Sequence, residues 1–311
     1  MPAALARRLR DGDERIAVTG ATGWLGRVTL DILREALGPE GVERRVSAYA
    51  SRARRVDGID VRALSTLRDA DPAPDVILHY AFATRELVAE QGLGPYVAGN
   101  LELSLHVLRA LRRGGLRGFF YTSSGAVYDA AGGLETDLRA NPYGALKHLD
   151  ELAFAAACRT AGTGCAIARV FNVSGPHMAK PRLFALGDLV LRAQAGEPLV
   201  VKARHPVRRS FVAAADVAAL GLSLALAGED ACFDTAGERV VELGELAELV
   251  RDVIADDTLP IRRDYDPRAA AHEYVGQAGE MTALARRHDL PLASLEQQIR
   301  DTAAGMRTPR Q

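Results

Sequence analysis

The sequence predicts an α/β fold, in which a doubly wound parallel sheet is followed by a smaller C-terminal lobe. Short apolar stretches typical of buried strands alternate with segments of helical periodicity through the first half of the chain. The first of these strands, Ile16 to Val18, runs into a glycine-rich loop that opens a helix. This order of strand, loop and helix is typical of a dinucleotide-binding unit, so the predicted sheet is Rossmann-like.

The glycine-rich loop is the strongest local signal for a cofactor. Its glycines permit a tight turn, a close approach of the backbone to a pyrophosphate, and packing of the helix on the strand. The start of the helix would offer free N–H groups and the positive end of its dipole to the phosphates. A turn without a ligand is the alternative for this stretch alone. The predicted cofactor-binding residues are Gly20, Thr22, Gly23, Trp24, Leu25 and Gly26.

The rest of the first half supplies the other elements of such a sheet. The predicted strands are Arg45–Ala50, Val76–Ala81, Gly118–Thr122 and Cys165–Val170. The predicted helices are Leu101–Leu111 and Tyr143–Ala157. We therefore predict a nucleotide-binding domain over residues 1–170 and a substrate-binding lobe over residues 171–311.

Composition excludes several other classes of protein. The 311 residues are 48% hydrophobic and 25% charged with a net charge of −1, which is typical of a globular protein and offers no basic excess for nucleic acid. No stretch approaches the about 18 apolar residues of a membrane span, and no signal peptide is evident, so we expect a cytoplasmic protein. Cys158, Cys165 and Cys232 lack paired spacing and are predicted to be small buried residues. The histidines lack metal-ligand spacing, so no metal is expected.

The end of the second strand discriminates between the two nicotinamide dinucleotides. An acidic residue there would bind the adenosine ribose and favour NAD. Here Ala50 is followed by Ser51 and Arg52, and the first carboxylate is Asp57. A hydroxyl and a guanidinium suit a 2′-phosphate, so Ser51 and Arg52 favour NADP over NAD. A solvated basic loop is the alternative.

Two later stretches carry groups suited to catalysis. Residues 121–128 place several hydroxyls at the carboxyl end of a strand, where open α/β sheets bind ligands. Tyr143 and Lys147 are four positions apart on a predicted helix and therefore share one face. A nearby cation, together with the positive nicotinamide ring of an oxidised cofactor, favours the phenolate and would bring the tyrosine from its ordinary pKa of about 10 toward a useful acid/base range. A surface Tyr–Lys pair is the alternative.

Taken together, these motifs resemble the extended short-chain dehydrogenases/reductases of the nucleotide-sugar epimerase/dehydratase group. Thr19–Gly26 resembles the glycine loop of that family, Asp75–Ala81 resembles its strand leading to the nicotinamide, and Tyr143 with Lys147 resembles its Tyr-x-x-x-Lys pair. The resemblance covers nearly the whole chain, through the Arg-x-Phe-Asn stretch at 169–172 to a helix start at Ser294.

The resemblance implies roles for individual residues. It makes Tyr143, Lys147, Ser124 and Asn100 the catalytic set, with Tyr143 and Lys147 also touching the cofactor and Ser124 the substrate. In relatives, residues matching Asn172 and Arg209 contact a nucleotide diphosphate, although Ser210 here replaces the Asp that many carry after the Arg. His177 follows a Gly-Pro as an acid/base histidine does in some epimerase-reductases, or it is a plain loop residue.

The implied reaction is hydride transfer at a carbon of a nucleotide sugar, C4 by preference, with Tyr143 as acid/base. Dehydratases of the family carry an Asp-Glu pair directly after the hydroxyl residue, where this chain has Gly125 and Ala126. Neither residue can transfer a proton, which argues against dehydration, and the NADP-like end of the second strand favours a 4-ketoreductase. A 4-epimerase and an NADP-dependent reductase of another small carbonyl compound are alternatives, and a non-enzymatic NADP-sensing or nucleic-acid-binding relative is a third.

The resemblance also bears on organisation and assembly. Residues 211–226 resemble a segment that returns to the first domain, so 211–236 are expected to rejoin it. The helices at Leu101–Leu111 and Leu146–Ala157 match helices that pair in a four-helix dimer interface. We therefore expect a homodimer.

Overall fold

The chain forms a large sheet with helices on both faces and a second group of strands and helices beside it. The computed structural model describes residues 1–255 and 258–307. In chain order the strands are β1 Ile16–Thr19, β2 Val46–Ala50, β3 Arg54–Val56, β4 Ile59–Ala63, β5 Val76–His79, β6 Gly118–Ser124, β7 Gly164–Val170, β8 Asn172–Ser174, β9 Leu199–Val200, β10 Val207–Ala213, β11 Ala231–Thr235, β12 Val240–Glu242, β13 Ile261–Arg262 and β14 His272–Tyr274.

The helices connect these strands. They are α1 Ala3–Asp11, α2 Trp24–Arg45, α3 Glu86–Gln91, α4 Leu93–Leu111, α5 Pro142–Ala161, α6 Ala185–Gln194, α7 Ala214–Ala227, α8 Leu243–Ile254, α9 Ala278–Arg287 and α10 Leu295–Arg307. Helix α2 is interrupted at Gly38, whose φ of 66° is not helical.

The large sheet confirms the predicted fold class. Its strand order is β11-β7-β6-β5-β1-β2-β4-β3, and every pairing is parallel except that of β3 with β4. Because the strands build outward from β1 in both directions, the sheet is doubly wound. Thr19 pairs with His79, and His79 pairs with Tyr121. The carboxyl ends of β1, β5 and β6 therefore meet at one edge, which brings the glycine loop close to Ser124.

Several element boundaries differ from the sequence prediction. Helix α2 continues through Arg45, so β2 begins at Val46; the buried Arg45 guanidinium donates to the carbonyl oxygens of Leu9 and Glu14 at 2.7 and 3.1 Å. Strand β5 ends at His79, before the predicted Ala81. Strand β6 extends to Ser124 rather than ending at residue 122, and helix α4 begins at residue 93, eight residues before the predicted start.

The later part of the chain contributes to both groups of elements. Strands β8, β10, β12 and β14 form a smaller sheet, and β9 pairs with β13. Helices α6, α8 and α10 enclose a separate apolar core that includes Leu186, Val190, Leu246 and Ile299. The chain also rejoins the large sheet, because α7 packs on α2, β6 and β7 while β11 pairs with β7.

One cysteine departs from the prediction. Cys158 and Cys165 are buried, but Cys232 is exposed because β11 is the outermost strand at its end of the large sheet. All three thiols are free. Over the residues that the structure describes, no helix is long and apolar enough to cross a membrane.

A buried ion pair links α5 to the carboxyl end of β7. The Arg169 guanidinium donates to both carboxylate oxygens of Glu151 at 2.8–3.3 Å. The Glu151 side chain is only 6% exposed. Removing one partner of a buried pair leaves the other charge without compensation.

We expect Glu151→Gln to lower the free energy of unfolding by about 3–5 kcal/mol, because the guanidinium loses its counter-charge in a desolvated site. Urea unfolding at pH 7 measures the change. Asp264→Asn is the matched control, since Asp264 and Arg204 pair at 2.8 Å with both side chains 76% exposed. That control is expected to cost at most about 1 kcal/mol. Equal losses for the two variants would contradict the prediction.

Candidate active site

The glycine loop folds so tightly, as a cradle of backbone atoms, that Gly20 and Gly26 have no space for a side chain. Gly20 has a φ of 65°, and a Cβ there would lie 2.6 Å from the backbone nitrogen of Ala81. A Cβ on Gly26 would lie 2.2 Å from the carbonyl oxygen of Gly20. Gly23 caps α2 without a side-chain hydrogen bond, so no capping side chain takes up the N–H groups of the first turn. This cradle fits the pyrophosphate of a dinucleotide.

The basic segment after β2 reaches the loop through a residue that sequence reasoning did not single out. Nη2 of Arg54 donates to Oγ1 of Thr22 at 2.6 Å. Ser51 and Arg52 are exposed in the turn that precedes it. Strands β3 and β4 form a hairpin around Asp57-Gly58, a dipeptide that favours tight hairpin turns. That signal could have placed Arg54 on a strand returning to the loop.

The start of α5 is fastened to the end of β6. Asn141 caps the helix, its Oδ1 accepting from the N–H of Gly144 at 2.9 Å, while its Nδ2 donates to the carbonyl oxygen of Ala126 at 3.0 Å. A Cβ on Gly144 would lie 2.1 Å from that same oxygen. This contact places Tyr143 close enough to Ser124 for the serine hydroxyl to lower the pKa of the phenol.

Tyr143 is a protonated phenol in this environment. Burial raises its pKa to about 12, and the Ser124 hydroxyl and the charge of Arg85 offset only part of that effect. In the protein without cofactor the loss of hydration of the phenolate therefore dominates, and the lowering expected with an oxidised nicotinamide bound stays a prediction. At neutral pH this group is a proton donor.

Lys147 lies one helical turn after Tyr143 on α5 and is buried. Its Nζ donates to the carbonyl oxygen of Thr122 at 2.7 Å and lies 4.0 and 4.8 Å from the ring centroids of Phe82 and Tyr121. Burial lowers the pKa of Lys147 to about 7, although the carboxylates of Asp150 and Glu151 act in the opposite direction.

Asn100 is buried and is engaged by the backbone around it. Its Oδ1 accepts from the N–H of Ala83 at 2.8 Å and its Nδ2 donates to the carbonyl oxygen of Tyr96 at 3.1 Å. The Tyr96 hydroxyl donates to the carbonyl oxygen of Ala83 at 3.0 Å. These bonds hold the loop after β5, which carries Phe82, against α4.

The candidate substrate residues lie together where β10 pairs with β8 and β14. Nδ2 of Asn172 donates to the carbonyl oxygens of Ser210 and Tyr274 at 3.0 and 3.1 Å. The Arg209 guanidinium lies 6.0 Å from the centre of the Tyr274 ring. Ser210, at the position where relatives carry Asp, accepts from the N–H of Gly276 at 3.3 Å.

Tyr274 is a site residue that sequence reasoning missed. Burial raises the pKa of its phenol, and the nearby Ser124 hydroxyl acts in the opposite direction. Its ring packs on Phe171, with centroids 4.7 Å apart. Two phenols, those of Tyr143 and Tyr274, therefore lie near the Ser124 hydroxyl. No local motif marks Tyr274, because only the pairing of β14 with β10 brings it to the site.

The residues after Ser124 leave no room for a carboxylate. A Cβ on Gly125 would lie 2.6 Å from ring atoms of Phe171. The space that a longer side chain would need is thus filled by an aromatic ring.

His177 faces helix α2. Its Nε2 lies 2.5 Å from Oδ2 of Asp31, and its backbone has a φ of 68°. This contact joins the loop after β8 to the nucleotide-binding part of the chain. Over the described residues, no group of His, Cys, Asp and Glu side chains could hold a metal ion.

The chain matches the family model described as NAD dependent epimerase/dehydratase over residues 16–231. Among curated proteins, none matches it by sequence. Solved structures resemble the chain over most of its length. UDP-N-acetylglucosamine 4-epimerase from Methanobrevibacter ruminantium, in complex with UDP-N-acetylmuramic acid, is 19% identical with a TM-score of 0.73, and the match covers 94% of this chain and 98% of that one.

Two further structures carry a nicotinamide cofactor. UDP-glucose 4-epimerase from Thermus thermophilus, in complex with NAD, is 19% identical with a TM-score of 0.71 over 94% of this chain and 99% of that one. RMD from Pseudomonas aeruginosa, complexed with NADPH, is 25% identical with a TM-score of 0.70 over 95% and 100%. The family match spans more than half of the chain, and the Ser, Tyr and Lys of the family's motif meet at one edge of its sheet. The chain therefore belongs to the NAD-dependent epimerase/dehydratase family and is an enzyme of the extended short-chain dehydrogenase/reductase type.

Proposed function

We propose that this enzyme is an NADP-dependent reductase of a keto group on a nucleotide sugar, C4 by preference. One observation carries the proposal: a protonated Tyr143 phenol lies beside Ser124, and neither of the two residues after Ser124 is an acid. The cofactor would bind to the domain of residues 1–170, which residues 211–236 rejoin. The substrate would bind to the lobe of residues 171–311. The rejoining of β11 to the large sheet supports this division.

In the proposed mechanism, a reduced nicotinamide cofactor held by the glycine loop and Lys147 would supply a hydride to the carbonyl carbon of the substrate. Tyr143 donates its proton to the carbonyl oxygen, so the ketone becomes an alcohol and the tyrosine becomes a phenolate. Ser124 holds that oxygen by a hydrogen bond. The Lys147 ammonium binds the nicotinamide ribose and stabilises the phenolate until a proton from solvent restores the phenol. Asn172 and Arg209 would hold the nucleotide diphosphate by hydrogen bonds and charge.

The structure of the site bears on the alternatives. Elimination of water needs an acid/base beside the hydroxyl residue, and Phe171 fills the space at Gly125. A 4-epimerase is consistent with the same Tyr, Ser and Lys, and the relatives named as epimerases keep this option open. A reductase of another small carbonyl compound would also use these groups but would not need Asn172 and Arg209.

The reaction is tested by supplying 4-keto-6-deoxy and parent nucleotide sugars with and without NADPH. We expect one NADPH to be consumed per keto-sugar, because Tyr143 is poised as a proton donor. Interconversion of parent sugars without net use of cofactor would instead establish an epimerase. A 4-keto-6-deoxy product formed from a parent sugar would refute the argument from Gly125 and Phe171.

Tyr143→Phe should lower turnover by about 10²–10⁴-fold, the usual loss for a general acid, while leaving cofactor binding nearly unchanged. Quenching of Trp24, the single tryptophan of the chain, reports cofactor binding at the glycine loop. Tyr265→Phe is the control, since that ring is 43% exposed and packs on Arg263 with its guanidinium 3.9 Å from the centroid. Near-normal turnover of Tyr143→Phe would exclude the assigned role.

Cofactor preference is tested at the basic segment. We propose that Ser51 and Arg52 bind the 2′-phosphate, joined by Arg54, which already contacts Thr22. Loss of a charge-assisted hydrogen bond costs about 1.5–3 kcal/mol, so Arg52→Ala and Arg54→Ala should each weaken NADP by roughly 10–100-fold with little effect on NAD. Arg55→Ala is the control, because Arg55 is 73% exposed and pairs with Asp60 at 3.7 Å. An equal loss for both cofactors would count against the proposal.

We also propose a homodimer formed through α4 and α5. Their exposed apolar residues support it, with exposures of 43–60%; these are Leu101, Leu105, Leu149 and Leu152. Leu152→Glu should yield a monomer, because a carboxylate would lose its hydration in an apolar interface. Light scattering at micromolar concentration measures the mass; an unaltered protein that is already monomeric would overturn this proposal.

A further inference from the structure

The charge on Lys147 is costly where the side chain lies. The residue is 4% exposed, and its contacts are one carbonyl oxygen, that of Thr122, and the rings of Phe82 and Tyr121. Carbonyl dipoles and ring faces attract an ammonium but do not neutralise it. A buried charge is stable only when it is paired, and otherwise the group gives up its proton.

A buried carboxylate lies one helical turn beyond the lysine. Asp150 is three positions after Lys147 on α5 and is 3% exposed. Its Oδ1 accepts from the hydroxyl of Ser104 on α4 at 2.6 Å, and its Oδ2 accepts from the hydroxyl of Tyr121 on β6 at 3.0 Å. Burial raises the pKa of Asp150, while the donors aimed at its two oxygens and the charge of Lys147 favour the ionised carboxylate and oppose that effect. The mechanism proposed above gives this residue no part.

We propose that Asp150 is the counter-ion that keeps Lys147 charged, and that it acts in part through Tyr121. The Tyr121 hydroxyl donates a hydrogen bond to the Asp150 carboxylate, and the face of its ring lies against the Lys147 ammonium. Donation to an anion makes the ring face more negative, which strengthens its attraction for the cation. The inference rests on the proposed function, because the charge on Lys147 matters there for binding the ribose and stabilising the Tyr143 phenolate. Asp150 is thus a positioning residue.

The other titratable groups around the lysine cannot take this role. His79 on β5 is uncharged, since burial lowers its pKa to about 3. Tyr121 is neutral, because burial and Asp150 raise its pKa well above 10. Tyr143 is protonated, as described above. Glu151 is bound by both arms of the Arg169 guanidinium. Asp150 is the remaining carboxylate near Lys147 in the described part of the chain whose charge is not matched by an arginine.

The composition of the chain allows a direct measurement. Its lysines are Lys147, Lys180 and Lys202. Selective ¹³C labelling of lysine therefore gives three Cε resonances, which Lys180→Arg and Lys202→Arg assign. We expect Asp150→Asn to lower the pKa of Lys147 by roughly 1–3 units, the usual effect of losing a neighbouring opposite charge. The Cε resonances of Lys180 and Lys202 serve as internal references in the same spectrum.

Two further arms sharpen the test. Ser104→Ala removes one hydrogen bond but keeps the carboxylate, so the pKa of Lys147 should move far less than in Asp150→Asn. If Asp150→Asn does not fold, the unaltered protein decides: its Lys147 resonance should show a second inflection on the acid side as Asp150 takes up a proton. An unmoved pKa in Asp150→Asn, or a single inflection in the unaltered protein, overturns the inference.

Activity supplies the functional readout. In Asp150→Asn the alkaline fall of kcat/KM for keto-sugar reduction should move to lower pH by the same amount as the pKa of Lys147, with near-normal rates below that pH. A uniform loss of rate at every pH would mark Asp150 as merely structural and overturn the inference. An unaltered protein that reduces no keto-sugar would refute the proposed function, whereas the resonance of Lys147 would still decide the role of Asp150.

Discussion

The catalytic constellation depends on the contact between the first turn of α5 and the turn that follows β6. Asn141 joins the two by capping the helix and donating to Ala126, and Gly144 lets the backbones approach. Tyr143 comes from the helix and Ser124 from the strand, so the two hydroxyls lie near each other only while this contact holds. A helix started one residue later would turn the phenol by about 100° away from the serine.

Desolvation at the same edge of the sheet sets the protonation states. Burial raises the pKa of Tyr143 and lowers that of Lys147, since in each case it opposes the charged form. The neutral phenol is the state that a reductase needs before hydride transfer. The cationic lysine is the state that burial disfavours, which is why the carboxylate of Asp150 within the same dry region matters.

The packing of Phe171 limits which side chains can stand next to Ser124. Phe171 lies against Gly125 and Gly276, either of which would clash with it if it carried a Cβ. The Phe171 ring packs on Tyr274 and fills the space at Gly125, next to Ser124. A carboxylate at residue 125 is therefore not merely missing, because its volume is already occupied.

The sequence by itself determined the doubly wound sheet, the glycine loop and the spacing of Tyr143 and Lys147, since each depends on residues close together along the chain. It did not reveal Tyr274, the contact of Arg54 with Thr22, the donors to Asp150, or the pairing of His177 with Asp31. Each of these joins residues from separate elements, and strand register and helix packing alone decide which of them meet. The pKa of Tyr143 likewise followed from burial, a property of the folded chain, and not from the four-residue spacing that predicted its partner.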